Sequence, residues 1–323
     1  MNRMTDPNLE QAIHFAPILR SAIWGGGEIA RFKGCRPHRM LLGESWELSG
    51  LPGQDSTVDQ GPLRGKTVTE LAGTYGAALL GKRVFAEHGA RFPLIVKIID
   101  ASRDLSVQVH PNDAVAMRRH GCNGKTEAWY VLSTKPGSKI HLGLKDKMSP
   151  EDFDAAVADG TISDHLAVYP SKAGDSFFVP AGRIHVIGGG NLLVEVQQCC
   201  DITYRIFDYN RRDADGNLRT LHTEAARDAI DYNVRDDYRN VPSEAVDGTS
   251  RIVACDKFAM DLMDVDGEAA IEHDDDSFTA LMCIEGELML GNRHMSAGTT
   301  LLVPSAAPTL TLRGKGKVLT FKG

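Results

Sequence analysis

Runs in which apolar residues alternate with polar ones, or in which β-branched and aromatic residues follow one another unbroken, recur along the chain and predict strands. V-Q-V-H-P from Val107 places Gln108 and His110 two residues apart, on one face of an extended segment. G-K-T-E-A-W-Y-V-L, Gly124 to Leu132, reads as a strand with Glu127 near its start. G-D-S-F-F-V-P-A-G-R-I-H-V-I from Gly174 reads as a strand that stops at a turn containing Pro180 and resumes with His185 pointing back. F-P-L-I-V-K-I-I-D, Phe92 to Asp100, predicts a buried strand carrying one charged residue, Lys97, amid apolar neighbours. In L-L-V-E-V-Q from Leu192, alternation separates Glu195 and Gln197 from the adjacent apolar positions. E-S-W-E-L-S from Glu44 also alternates, and Glu44, Trp46 and Glu47 are read there as strand packing and edge polarity.

Helical patterns are fewer. Residues 67–82 predict one helix, with Thr67 or Thr69 as cap, Leu71, Tyr75 and Leu79 on one face, and Gly81 at its end. A short helix and loop follow from Asp113, and Ser149 to Gly160 opens with a Ser cap, Pro at the first helical position and acids in the first turn. Near 232–250 the chain turns polar and turn-rich, which suggests a linker between a unit at 1–240 and another at 241–323. Gly298 to Pro304 repeats the G-x5-P frame of Gly174 to Pro180, so the second unit is an internal repeat of the first. Five residues past Pro180 stands His185, whereas five past Pro304 stands Thr309, and the repeat is therefore expected to be structural and metal-free.

Composition narrows the class. At 323 residues and 42% hydrophobic the chain can bury a large core, and a formal charge of −7 with both signs interspersed offers no basic face for nucleic acid. There is no apolar run of membrane-spanning length, and the opening M-N-R-M-T-D-P-N lacks a signal-peptide core, so a cytoplasmic protein with no membrane partner is expected. Six scattered cysteines read as free and reduced, with Cys199 and Cys200 on opposite faces of a strand-like run.

Two imidazoles, one carboxylate and one amide oxygen from Gln108, His110, Glu127 and His185 suit zinc or another first-row divalent ion. Lys97 lies either at the mouth of the strand layer, directed at a ligand, or with its ammonium reaching out to solvent. Asp201, Arg205, Asp208, Arg211 and Arg212 fall within a dozen residues, as either a solvated strand end or an anion clamp. His120, His141 and His165 read as surface or packing residues.

The frame G-x5-P-x-G-x2-H, with the upstream Q-x-H, resembles the paired motifs of the cupin superfamily. L-S-V-Q-V-H-P, G-K-T-E-A-W-Y, P-A-G-R-I-H and E-V-Q-Q-C-C-D-I-T-Y-R, with I-W-G-G from Ile23 and G-E-S-W-E-L-S from Gly43, resemble the type I phosphomannose isomerases in their shorter bacterial form. The likeness runs from about Pro17 to about His222 and more faintly beyond. It implies a mainly β protein of two cupin-type jelly-roll β-barrels with helical insertions, the first catalytic. It further implies one Zn2+ per chain on Gln108, His110, Glu127 and His185, a phosphorylated hexose as partner, and a monomer or weak homodimer. Mannose 6-phosphate and fructose 6-phosphate would interconvert through a cis-enediol(ate), which needs a base for the carbon-bound proton and a positive centre for the oxyanion. Arg205, Glu195 and Lys125 are the implied catalytic residues, and Lys97, Arg211 and Asp201 the substrate-binding ones. Glu195 is the first choice for the base, and a lysine of lowered pKa, Lys125 or Lys97, the second. Two other readings stand beside this one: a non-haem iron oxygenase built on the two-His, one-carboxylate triad, and a non-catalytic sugar-phosphate sensor.

Overall fold

The computed structural model describes residues 6–36, 41–213, 215–271 and 275–323, so the first five residues of the opening M-N-R-M-T-D-P-N lie outside the described residues. The chain is mainly β, and its strands form three sheets. The central sheet has seven strands: Ser176–Val179, Glu127–Thr134, Asn191–Gln198, Leu94–Ala101, Leu42–Leu51 and Ile18–Gly26 in that order, with Gln54–Asp55 paired to Leu42–Leu51. A five-stranded sheet runs Leu166–Pro170, Lys139–Leu144, His185–Ile187, Val107–Val109, Tyr204–Phe207. The third, of eight strands, holds the carboxy-terminal strands from Thr249–Ala254 to Leu310–Lys322 and also two early ones, Ile13–Ala16 and Thr57–Val58.

Burial on both faces explains the unbroken apolar strands of the central sheet. Along Leu94–Ala101 every residue is buried. Leu94, Val96 and Ile98 join one cluster with Val194, Val196, Phe278, Leu319 and Phe321, against the eight-stranded sheet. The alternate positions Ile99 and Ala101 face the other way, with Trp129, Val131 and Leu193. Lys97 and Glu195 share that second face, since each is two residues from a member of it and they are register partners. The five-stranded sheet covers this face, and its own outer side, Val107, Val109, Val186, Tyr204 and Ile206, packs on the helices Pro150–Ala158 and Thr223–Ala229. The site residues thus lie between two sheets, each supported from behind.

Three expectations change here. The single helix over 67–82 is three: Val68–Tyr75, Ala77–Leu80 and Lys82–His88. Thr67 does cap the first, through a reciprocal capping box with Glu70, but Gly76 and Gly81 break the run with positive φ. At Gly81 a Cβ would also sit 2.3 Å from the Asp276 carbonyl carbon, so helix and carboxy-terminal segment meet backbone to backbone. Leu42–Leu51 is an interior strand, which removes the edge role for Glu44 and Glu47; Glu47 is buried and pairs with Lys33 at 2.7 Å. The strand Asn191–Gln198 ends before Cys199 and Cys200, so the two thiols lie at the bend just past it and do not alternate along a strand; all six cysteines are free.

Candidate metal centre and adjoining cavity

Glu127 opens the strand Glu127–Thr134 of the central sheet, while His185 opens His185–Ile187 in the sheet opposite. Gln108 is the register partner of His185 on one side and of Arg205 on the other, so all three share the inward face. His110 follows Val107–Val109 by one residue. One ligand atom each from His110, Glu127 and His185 lie within 4.8 Å of one another, and all three residues are buried. Each imidazole Nε2 stands 3.4 Å from a different oxygen of Glu127.

The main chain sets the tautomers. His110 Nδ1 lies 3.0 Å from the Ile202 carbonyl and His185 Nδ1 2.8 Å from the Arg183 carbonyl. Carbonyls only accept, so both Nδ1 atoms donate and both Nε2 atoms are left as acceptors, that of His110 facing the Lys125 ammonium at 3.1 Å. Burial, then the neighbouring Lys125 ammonium, lowers the His110 pKa to about 3, and burial lowers that of His185. Both rings are neutral, the form a metal needs. The two Glu127 oxygens and His185 Nε2 are buried with no hydrogen-bond partner. Buried polar atoms are rarely left so, and these are nitrogen and carboxylate donors converging on one point. The residues therefore fit a divalent ion of the zinc kind.

Beside these ligands opens a cavity of about 300 Å3, lined among others by Trp24, Glu44, Lys97, Gln108, Lys125, Glu195, Asp201, Arg205 and Arg219. Lys125 lies 2.8 Å from Glu127 and 3.6 Å from Glu195, and Lys97 lies 3.0 Å from Glu195 and 3.8 Å from Glu44. Burial acts to lower the pKa of both lysines, but the carboxylates beside them outweigh it and raise both. This runs opposite to the lowered lysine pKa expected of a lysine base. Burial, then the Glu127 charge, raises the pKa of Glu195. Burial acts likewise on Glu127, yet Lys125 and the imidazoles hold it well below the usual carboxylate range. Two carboxylates a short distance apart are thus driven in opposite directions.

Of the sequence-derived site residues, Lys97, Gln108, Lys125, Glu195, Asp201 and Arg205 all line this cavity. Lys97 is 3% exposed, which excludes the solvent-reaching alternative. Arg205 donates from Nη1 to the Thr220 carbonyl at 2.8 Å and keeps a buried, unpartnered Nε. Arg211 stands apart from the cavity wall: its guanidinium bonds the Asp208 carboxylate, the Asp104 carbonyl and, at 3.2 Å, the Asp208 carbonyl. Arg219, which the motifs did not single out, takes the place on the wall, anchored by Nε to Asp208 at 2.7 Å. Glu44 and Trp24 also line it, although their strands carry only ordinary alternation in sequence.

With this geometry in place, comparison with known proteins is direct. Residues 13–137 match the catalytic domain of type I phosphomannose isomerase, and residues 249–321 match the mannose-6-phosphate isomerase cupin domain. The mannose-6-phosphate isomerase ManA of Bacillus subtilis is 32% identical over 312 residues, covering 94% of this chain and 96% of the relative. That of Streptococcus mutans is 38% identical over 212 residues, 66% of this chain and 65% of the relative. The crystal structure of the Bacillus subtilis mannose 6-phosphate isomerase superimposes with a TM-score of 0.86 at 31% identity, covering 96% of this chain and 99% of that one. Sequence, fold and cavity agree, and the chain belongs to the type I phosphomannose isomerase family.

Proposed function

We propose that this family member interconverts mannose 6-phosphate and fructose 6-phosphate in the cytoplasm, with one zinc ion per chain on Gln108, His110, Glu127 and His185. The observation that carries the reading is the buried His110, Glu127 and His185 donor cluster, linked through Lys125 to a cavity that holds a carboxyl of raised pKa and two arginines. Isomerisation moves one proton between adjacent carbons and needs a group that takes and returns it. Glu195 suits that task, because a carboxyl whose pKa is raised accepts a carbon-bound proton more readily and can release it on the neighbouring carbon. Taking the proton from C2 leaves the cis-enediolate; returning it to C1, with the hydroxyl proton passing from O2 to O1, completes the exchange. A bound divalent ion would polarise the substrate oxygens and stabilise the enediolate charge. Lys97 and Lys125, held protonated by their carboxylate neighbours, supply fixed positive charge beside those oxygens. Arg205 and Arg219 meet the phosphate with the guanidinium N–H groups that their contacts to Thr220 and Asp208 leave over, and Asp201 borders the sugar.

A coupled isomerase assay on purified protein, with metal content measured alongside, tests this. Turnover of mannose 6-phosphate with unphosphorylated mannose inert is the expected result. Metal and substrate binding without turnover would favour a sensor, and stoichiometric iron with oxygen uptake an oxygenase.

A further inference from the structure

Trp129 is fully buried and is not among the residues lining the cavity, so it cannot touch a substrate. It stands two residues after Glu127 on the same strand and is the register partner of Glu195. Its indole Nε1–H donates to Glu195 Oε2 at 3.0 Å. Its ring meets the His185 imidazole edge-on, with centroids 5.3 Å apart and planes at 71°. One side chain therefore contacts both the carboxylate and a donor of the metal centre.

The two oxygens of Glu195 are held differently. Oε1 faces Lys97 at 3.0 Å and Lys125 at 3.6 Å but has no aligned hydrogen bond, whereas Oε2 has the directional indole contact. Ion pairs attract without fixing the carboxylate plane; an N–H bond fixes it. On its other side the indole packs on Phe177, its register partner on the adjoining strand, with centroids 6.4 Å apart.

We propose that Trp129 is a positioning residue with two separable tasks: its N–H orients Glu195 so that Oε1 meets the carbon-bound proton, and its ring edge holds the imidazole of His185. The inference rests on the isomerase reading with Glu195 as the proton carrier. A core residue whose N–H merely finds an acceptor would have the same contacts, and the following variants separate the two cases.

Trp129→Phe keeps a ring against His185 and removes the N–H. It should lower kcat by about tenfold to a hundredfold, the scale of a misplaced reacting group, with KM within about twofold and metal retention against a chelator unchanged. Trp129→Leu removes the ring as well and should also lose metal sooner. On a Glu195→Gln background, Trp129→Phe should cost nothing further, because the group it orients is gone. Additive losses in that cycle, parental kcat in Trp129→Phe, or equally early metal loss in Trp129→Phe and Trp129→Leu would each overturn the proposal. An inactive parent enzyme refutes the isomerase reading instead, and the chelator comparison still decides the task at His185.

Discussion

Lys97→Met keeps most of the side-chain length and removes the ammonium that lies between Glu195 and Glu44, 3.0 and 3.8 Å away. Lys97 and Glu195 are 3% and 2% exposed, and the cation left beside Glu195 is Lys125, farther off at 3.6 Å. Breaking a buried pair by deleting one member costs about 3 to 5 kcal/mol. Glu195 can escape part of that by binding a proton, and the cost of protonating an ordinary glutamate sets the ceiling. At about 1.36 kcal/mol for each pH unit above ~4.3, the ceiling is ~1.6 kcal/mol at pH 5.5 and ~4.4 kcal/mol at pH 7.5. The sign follows from linkage: loss of Lys97 raises the Glu195 pKa further above its unfolded value, so the folded variant binds more protons than the unfolded chain. Its stability relative to the parent then falls as pH rises from the unfolded pKa toward the folded one. Urea unfolding of parent and variant at equal metal content, at pH 5.5 and 7.5, should give a deficit that grows with pH and stays under those ceilings. A deficit equal at the two pH values, or larger at pH 5.5, would refute the argument.

His185→Ala should reduce bound metal from about one per chain to near zero in elemental analysis, because it deletes one of the three nitrogen and carboxylate ligands that cluster among the described residues. Gln108→Leu should loosen the metal less than Glu127→Ala in a chelator titration, since the amide is neutral and Glu127 is the one charged ligand. Arg205→Ala should lose about 2 to 4 kcal/mol of transition-state stabilisation, on the order of thirtyfold to a thousandfold in kcat/KM, and Arg205→Lys less. Arg219→Ala should raise KM for the phosphorylated sugar while Arg211→Ala leaves it near parental, because only the first guanidinium lines the cavity; the reverse order in initial-rate kinetics would reassign the phosphate contact.

The meeting of His110, Glu127 and His185 was legible because its motifs are short, local and rigidly spaced: His110 closes V-Q-V-H, and one turn separates Pro180 from His185. The cap at Thr67 and the Ser149 capping box were legible for the same reason, since they depend on neighbours three residues apart. What escaped depends on distant chain. Arg211 and Arg219 look alike in sequence, and only the fold reveals that the Asp104 carbonyl holds the first away from the cavity. Glu44 reads as one polar position in an alternating strand; the likeness of G-E-S-W-E-L-S suggests that this strand lies near the site, and the register Glu44↔Ile99 brings it beside the Lys97 row. The break at Gly76 was hidden because Leu71, Tyr75 and Leu79 keep helical spacing across it.

The pairing of Ile13–Ala16 with Thr300–Val303 has a consequence for synthesis on the ribosome. A strand made among the first residues waits for a partner made among the last, and the same sheet also recruits Thr57–Val58. Closing so long a loop is slow, and the nascent chain meanwhile carries an unsatisfied edge. A fragment beginning near residue 241 would keep Thr279–Leu290 on one side of Thr300–Val303 but leave its other side open, exposing to other chains a strand whose four residues are all buried in the complete protein. Expression of the two halves as separate genes should therefore yield an aggregating second half, which a co-expressed first half can rescue by supplying the missing strand.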